Sequence, residues 1–156
     1  MLVEESFLKK RAYLSIGMVL AVAFFAFIFN FRLAHATTIT WTGGGADTNW
    51  STTGNWSTGA APTSTDVAFF SASSTKSVTI DQNISVLGIN IQSTYSTGTI
   101  TQGTSTITIG SSGFSQASGT FIGGSGTIDI NNNSFDLSGG YFSAPSSAAA
   151  TSSLFI

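Results

Sequence analysis

Short runs in which apolar and polar residues alternate recur through the second half of the chain, at residues 78–80, 89–91, 107–109 and 128–130. In each run the two apolar side chains share one face of an extended chain, and the residue between them points the other way. Gly, Ser and Asn residues that favour turns flank the runs, as at 110–113 and 131–134. The pattern predicts short β-strands, each with one buried face.

The pattern also repeats with a period of 21 residues. Residues 106–121 align with residues 127–142, with six identities in 16 positions. The aligned landmarks are Ile107 with Ile128, Ile109 with Ile130, Phe114 with Phe135, Gly119 with Gly140, and Phe121 with Phe142. A weaker match one period earlier aligns Gly98 with Gly119, Ile100 with Phe121, Val86 with Ile107, and Gly88 with Ile109. A period of this length indicates stacked structural repeats.

A 21-residue unit leaves little room for two helices in a sequence rich in Ser, Thr and Gly, whereas a few short strands and turns fit. If the units stack, each strand pairs with its equivalent about 4.8 Å away. Ile107 then lies under Ile128 and Phe114 under Phe135, within one continuous core. We therefore predict an all-β fold, most simply a right-handed parallel β-helix with about 21 residues per coil. The alternative, an antiparallel sandwich of about seven strands, gives no reason for the repeat.

The first 36 residues form a different kind of segment. A basic cluster at 9–11 precedes 20 uncharged residues at 12–31, and Ala34 and Ala36 then bracket one residue in the small-x-small pattern of a signal peptidase site. The sequence predicts a hydrophobic signal helix that is cleaved after Ala36. Because about 20 apolar residues also span a bilayer, an uncleaved membrane anchor is the alternative. Both place residues 37–156 on the far side of the membrane, secreted or on the cell surface.

The composition of residues 37–156 excludes several classes of function. These 120 residues hold 45 Ser or Thr and 16 Gly, but only six charged residues: Asp47, Asp66, Lys76, Asp81, Asp129 and Asp136. They contain no Cys, His, Arg or Glu, which rules out disulfides, cysteine zinc sites and a histidine base. One lysine cannot supply the basic surface that nucleic acid requires. We expect no cofactor and no resident metal.

The start of this region resembles that of a known family of bacterial surface proteins. Trp41 leads into Gly43–Gly45, then Trp50-Ser51, Asn55-Trp56, Pro62, and a strand-like run from Asp66 to Phe69. This is similar to proteins that carry autotransporter-associated β-strand repeats, and residues 121–128 and 137–141 resemble their Gly-rich coils. A weaker likeness is to the extracellular eight-glycine domain. Both resemblances imply a β-helical fold outside the cell.

The chain is thus predicted to have four parts: the signal segment 1–36, a capping region 37–77 rich in Trp and Gly, solenoid coils at 78–145, and a tail at 146–156. The sequence shows neither the membrane barrel nor the sorting tail of the resembled families. We expect the chain to be a fragment of a longer surface protein, with the tail truncated.

Three tryptophans are the candidate binding residues. Trp41, Trp50 and Trp56 are predicted either to form an aromatic platform for sugar rings or to cover the open end of the solenoid core. The second interpretation follows from their position at the N-terminal end, where a solenoid exposes unpaired strand edges.

Two other patterns invite a chemical interpretation and favour a structural one. Asp129 and Asp136, seven residues apart, would be a glycosidase pair, but Asp129 lies between Ile128 and Ile130 and should face away from the core. The run from Gly123 to Ile130 resembles a calcium-binding repeat in which the aspartate is one residue too late, so its carboxylate is expected on the opposite face. We predict no catalytic residues and no metal site.

From these features we expect an exported, non-enzymatic β-solenoid with a structural or adhesin-like role. Its partners would be polysaccharides or other cell-surface components through weak polyvalent contacts, the membrane through residues 12–31 if they are uncleaved, and further copies by end-to-end association. The alternative function is a carbohydrate-active enzyme module, or its carbohydrate-binding appendage, on the same fold.

Overall fold

The computed structural model describes residues 36–146 and the backbone of residues 154–155. The chain divides into two compact units, Met1–Ala34 and His35–Ile156, and the described residues belong to the second. The predicted signal helix, the apolar span 12–31 and Ala34 of the cleavage motif therefore lie outside the described residues. Ala36 is exposed and directly precedes the first strand. No helix within the described ranges has the length and apolar character needed to cross a membrane.

Short strands make up most of the regular structure in the described residues. In chain order they are β1 (Thr37–Thr40), β2 (Asp66–Phe70), β3 (Val78–Thr79), β4 (Ile84–Ile91), β5 (Thr99–Thr101), β6 (Ile107–Gln116), β7 (Thr120–Ile122), β8 (Ile128–Asp129), β9 (Phe135–Leu137), β10 (Tyr141–Ser143) and β11 (Leu154–Phe155). A single turn of 3₁₀-helix, Thr53–Asn55, lies between β1 and β2.

The strands form two parallel sheets. The larger has the order β1-β2-β4-β6-β8-β11, with β9 also paired to β6, and the smaller has the order β10-β7-β5-β3. Every pairing between these strands is parallel. The chain is a β-solenoid of about four turns with equivalent strands about 21 residues apart, as predicted. The antiparallel sandwich is wrong for the described residues.

The 21-residue register is confirmed in the later coils. Ile107 pairs with Ile128, Phe114 with Phe135, Ile100 with Phe121, and Phe121 with Phe142. Ile128 and Ile130 are buried, as their alternation with Asp129 predicted. The inward-facing residues of each strand lie in register with those of the next coil. Columns of apolar side chains from successive coils therefore fill the space between the two sheets.

The earlier alignment of β4 with β6 is wrong by two to four residues. Val86 pairs with Ile109 rather than Ile107, and Gly88 pairs with Gly113 rather than Ile109. The register shifts between Val86 and Gly88, where the facing strand carries two more residues than β4 does. The segment 110–113, which was predicted to be a turn, lies inside β6 as this irregularity, with Gly113 at φ +69°.

The larger sheet begins earlier than residue 78, where coils were expected to start. β1 pairs with β2, which in turn pairs with β4, so part of the predicted capping region 37–77 extends the solenoid sheet. Ile39, Ala68 and Phe70 of these strands are buried. The capping part proper lies in the long connection between β1 and β2.

Glycines in the run 123–126 allow close stacking of one coil on another. A side chain on Gly124 would collide with the Gly103 backbone, and one on Gly126 with the Ser105 backbone in the preceding coil. Ser125 N–H donates to Gly103 O (2.8 Å) at the same corner. The motif that resembled a calcium repeat therefore has a packing role, since only Gly permits this approach.

Two buried glutamines join the coils at their corners. Gln102 Nε2 donates to Ser105 O (2.8 Å) and Thr127 O (3.2 Å), while its Oε1 accepts from Gly124 N–H (3.1 Å). Gln116 Nε2 donates to Gly119 O (3.3 Å) and Tyr141 O (3.1 Å). Each side-chain amide thus donates to two backbone carbonyl oxygens, one three residues ahead in its own coil and one 25 residues ahead in the next coil.

Candidate functional site

The three tryptophans converge at the N-terminal end of the core. Trp41 follows β1, Trp50 precedes the 3₁₀ turn, and Trp56 follows it. The Trp56 ring lies 5.1 Å from Trp41 and 4.7 Å from Trp50 between centroids, in edge-to-face geometry. Phe70 contacts all three rings, with centroids 5.9 to 6.3 Å away. Edge-to-face packing is a favoured arrangement for aromatic pairs in a core.

All three rings are buried. Relative exposure is 0% for Trp41, 1% for Trp50 and 3% for Trp56. Trp41 Nε1 donates to Lys76 O (3.1 Å), and Trp56 Nε1 donates to Trp50 O (2.8 Å). A sugar platform requires an exposed ring face, and none of these rings has one. The cluster instead lies where the capping interpretation put it, over the first coil.

Asn55 is the polar centre of this tryptophan cap, which we define as residues 41–57. It is fully buried, and its Oδ1 accepts from Gly45 N–H (2.8 Å) while its Nδ2 donates to Asn49 O (2.9 Å) and Asp47 O (3.3 Å). Its backbone O accepts from Thr42 N–H (2.8 Å). One amide therefore holds both loops that carry Trp41 and Trp50. In the sequence Asn55 stands next to Trp56 but looks like any turn asparagine, so its role in the cap was not predicted.

The cap also occupies the free edge of the smaller sheet. Asn49 forms a parallel bridge with Thr79 of β3. Trp50 N–H donates to Thr79 O (2.8 Å), and Thr79 N–H donates to Thr48 O (2.8 Å). A strand edge with bonded N–H and C=O groups is a poor template for another chain. The N-terminal end of this sheet is thereby closed to end-to-end pairing.

Two carboxylates stabilise the cap at its periphery. A hydrogen bond from the Thr52 side chain and another from Asn49 N–H (3.0 Å) hold the pKa of Asp47 below its ordinary value. Partial burial raises the pKa of Asp81, but hydrogen bonds from the Ser51 hydroxyl and N–H (3.0 Å) outweigh it, so the pKa is lowered. Both groups therefore favour the cap in their ionised form.

Lys76 ties the cap to the first coil. Its Nζ donates to Gly43 O (2.6 Å), and its backbone O accepts from Tyr95 Oη (2.7 Å) as well as from Trp41. Tyr95 is buried against Phe70, and burial raises the pKa of its hydroxyl. The only lysine of residues 37–156 is thus engaged in structure.

The two aspartates considered as a catalytic pair lie on different strands, Asp129 on β8 and Asp136 on β9, each in register with β6. Asp129 Oδ1 accepts from Asn131 N–H (2.8 Å), which caps the turn that follows β8. Within the described residues, no three His, Cys, Asp or Glu side chains come together as a metal site would require.

The outer face of the smaller sheet is a surface that the sequence did not reveal. We call it the hydroxyl face and define it by the outward residues of β5, β7 and β10: Thr99, Thr101, Thr120, Ile122, Tyr141 and Ser143. In-register pairing sets them in two rows, Thr99-Thr120-Tyr141 and Thr101-Ile122-Ser143. Tyr141 is 61% exposed and Ile122 40% exposed. None of the nine residues of these three strands carries a charge.

Comparisons with protein-family models, curated proteins and solved structures find no match to this chain. The interpretation of the site therefore depends on its geometry and chemistry.

Proposed function

We propose that the protein is an exported bacterial cell-surface β-solenoid with a structural or adhesin-like role, of the kind that the resemblance to autotransporter-associated β-strand repeats implies. The observation that carries the proposal is the stack of in-register coils with an apolar interior and an exterior that is rich in Ser and Thr and has few charges. Such a stack presents the same side-chain spacing on each coil, which suits repeated weak contacts with a surface.

The position of the first strand supports export. β1 begins at Thr37, directly after Ala36, so cleavage at the proposed site would leave the described fold whole. An uncleaved segment would instead anchor that fold to the membrane through residues 12–31. For the winding of the coils we propose the right-handed sense, because parallel crossover connections are almost always right-handed.

We propose a non-enzymatic role. The carboxylates of Asp47, Asp81 and Asp129 accept hydrogen bonds from neighbouring backbone N–H groups, which is a structural use. The second candidate function, a carbohydrate-binding appendage, is favoured by one specific observation: an exposed tyrosine aligned with threonines on the hydroxyl face.

End-to-end association is proposed only through the C-terminal end. β9 and β10 have no strand partner on their outer edges among the described residues. The tryptophan cap occupies the β3 edge at the opposite end. Association would therefore be tail to tail, between the C-terminal ends of two copies.

Export and display can be tested by expressing the full chain with a C-terminal epitope tag in a bacterial host. We expect the tag outside the inner membrane, and the exported form to lack the first 36 residues by mass spectrometry. Ala36→Leu should block cleavage without blocking export, whereas Ala26→Leu, inside the apolar run, should change neither. A tag that stays in the cytoplasm would contradict the proposal.

The adhesive role requires a separate measurement. Cells displaying the chain should bind a polysaccharide-coated surface more strongly than cells carrying the empty vector, and external protease should abolish the difference. Displayed protein with no gain in attachment would leave a structural role and remove the adhesin-like one.

A further inference from the structure

The hydroxyl face combines two kinds of group that suit the same ligand. Its threonine and serine hydroxyls both donate and accept hydrogen bonds, and its exposed large side chains are one aromatic ring, Tyr141, and one aliphatic group, Ile122. The other exposed large apolar residue of the described part, Leu137, belongs to the other sheet. Together these groups can contact a ligand that itself presents both CH groups and hydroxyls.

The spacing of the face is fixed by the backbone. Neighbours in one row, such as Thr99 and Thr120, lie on paired strands about 4.8 Å apart. The two rows are separated by two residues along each strand, about 6.6 Å. Gln116 Nε2 donates to Tyr141 O (3.1 Å). This hydrogen bond joins β10, which carries the ring, to the preceding coil. The face is a regular grid, which suits a partner that repeats.

The absence of charged residues on the face limits the chemical classes of ligand that it can bind. An acidic polysaccharide, a nucleic acid or a phosphorylated surface would require basic residues, and these strands have none. An uncharged polysaccharide complements the face. Its sugar rings have a CH-rich side that can stack on the tyrosine, and its hydroxyls can hydrogen-bond with the threonines. An extended chain of such sugars, running across the strands, would follow one row of the grid and meet one of its side chains on each coil.

We propose that the hydroxyl face binds an extended, uncharged polysaccharide, with the Tyr141 ring stacked on one sugar and the Thr120 and Thr99 hydroxyls bonded to the next sugars along the solenoid. This proposal rests on the adhesin-like function and supplies its site and ligand class. It places the carbohydrate contact on the outer face of the smaller sheet and not on the buried tryptophans.

The test is a pull-down of the purified full chain with insoluble cellulose, mannan and β-1,3-glucan, and with polygalacturonate beads as the charged comparison. We expect binding to at least one uncharged polysaccharide and none to polygalacturonate. Tyr141→Ala should weaken that binding about tenfold, as the loss of one stacked ring implies. Tyr141→Phe keeps the ring and should stay within about twofold of wild type.

Two further variants make the test specific. Thr120→Val, which keeps the shape and removes the hydroxyl, should weaken binding about threefold to tenfold. Leu137→Ala is the matched control, an exposed apolar residue of the last coil on the other sheet, and should bind like wild type. Circular dichroism of each variant establishes that the fold is unchanged.

The outcomes separate this proposal from the proposed function. No binding to any of the three uncharged polysaccharides, wild-type binding by Tyr141→Ala, or an equal loss in Leu137→Ala would each overturn the ligand assignment. Sedimentation that shows Tyr141→Ala abolishing a dimer instead would assign the face to a second copy and also overturn it. Export and surface display are measured independently, so a failure there would remove the proposed function while leaving the binding result intact.

Discussion

Phe114 and Phe135 stack with their ring centroids 5.1 Å apart and their planes inclined by 21°. They are paired residues of adjacent parallel strands, one 21-residue unit apart. Phe121 and Phe142 repeat the relationship on the facing sheet, at 5.1 Å and 16°. In the last two coils the interior therefore holds two facing columns of rings, which continue the positions of Ile89 and Ile100 in the coil before.

Truncating these rings should have unequal effects on stability. Phe114 is 1% exposed and contacts Phe121, Phe135 and Phe142, so Phe114→Ala should lower the free energy of unfolding by about 3–5 kcal/mol. Phe135 lies half-buried in the last coil, and Phe135→Ala should cost clearly less. Urea unfolding followed by circular dichroism gives both values. Equal losses would mean that the last coil is packed as deeply as the one before it.

Glycine substitution should distinguish close coil stacking from mere turn flexibility. Gly126→Ala places a methyl group against the Ser105 backbone, so we expect a large drop in melting temperature or failure to fold. Gly54→Ala is the matched control, because its new methyl meets Gly45 Cα at an ordinary 3.5 Å. We expect Gly54→Ala to stay within about 1 kcal/mol of wild type. Tolerance of Gly126→Ala would contradict the stacking geometry.

The amide of Asn55 should be essential for the tryptophan cap. Asn55→Asp keeps the acceptor for Gly45 N–H but removes the donor to Asn49 O and places a negative charge near Asp47. We expect the cap to loosen, with a red shift and stronger quenching of tryptophan fluorescence. Asn83→Asp is the control, since Asn83 is exposed and uses its Oδ1 to accept from Thr106 N–H (2.8 Å). Unchanged fluorescence in Asn55→Asp would show that the cap does not depend on this amide.

Acid should destabilise the cap through Asp47 and Asp81. Both carboxyl groups have a lowered pKa in the folded protein, so their stabilisation is fully present above the unfolded value of about 3.9 and is lost as the pH falls through the folded value. Melting temperature should therefore fall as the pH is lowered from 5 to 2. Ser51→Ala removes the hydroxyl donor to Asp81 and leaves the backbone N–H donor, so it should partly flatten this dependence, whereas Ser73→Ala should not. A steeper dependence in Ser51→Ala would contradict the assignment.

The sequence predicted the parts of the fold that follow strict periodicity. Phe114 and Phe135 could be paired because the chain between them has the standard coil length. The pairing of Val86 could not, because the residues added within β6 are Ser and Gly, which also form turns, and nothing in the composition separates an irregular strand from a turn.

The candidate site was harder to predict because burial depends on tertiary packing. A tryptophan cap and a sugar platform require the same residues at the same positions, so only the structure shows that Trp50 is covered. The 21-residue alignment places Tyr141 next to Thr120 and Thr99, but only the structure shows that its ring is exposed on the outer face. Asn55 was similarly indistinguishable from the many turn asparagines until its loops were placed around it.

The most direct test of the stacked-coil account uses the absence of cysteine from the chain. Ser115 and Asp136 are in-register neighbours on β6 and β9, with Cα atoms at the strand spacing of about 4.8 Å, which a disulfide can bridge. Asp129 is closer to Ser115 in sequence but pairs with Thr108 instead. We predict that Ser115→Cys/Asp136→Cys forms an intramolecular disulfide on mild oxidation of the folded protein, while Ser115→Cys/Asp129→Cys stays reduced. Oxidation of the second pair without the first would contradict the parallel, 21-residue register.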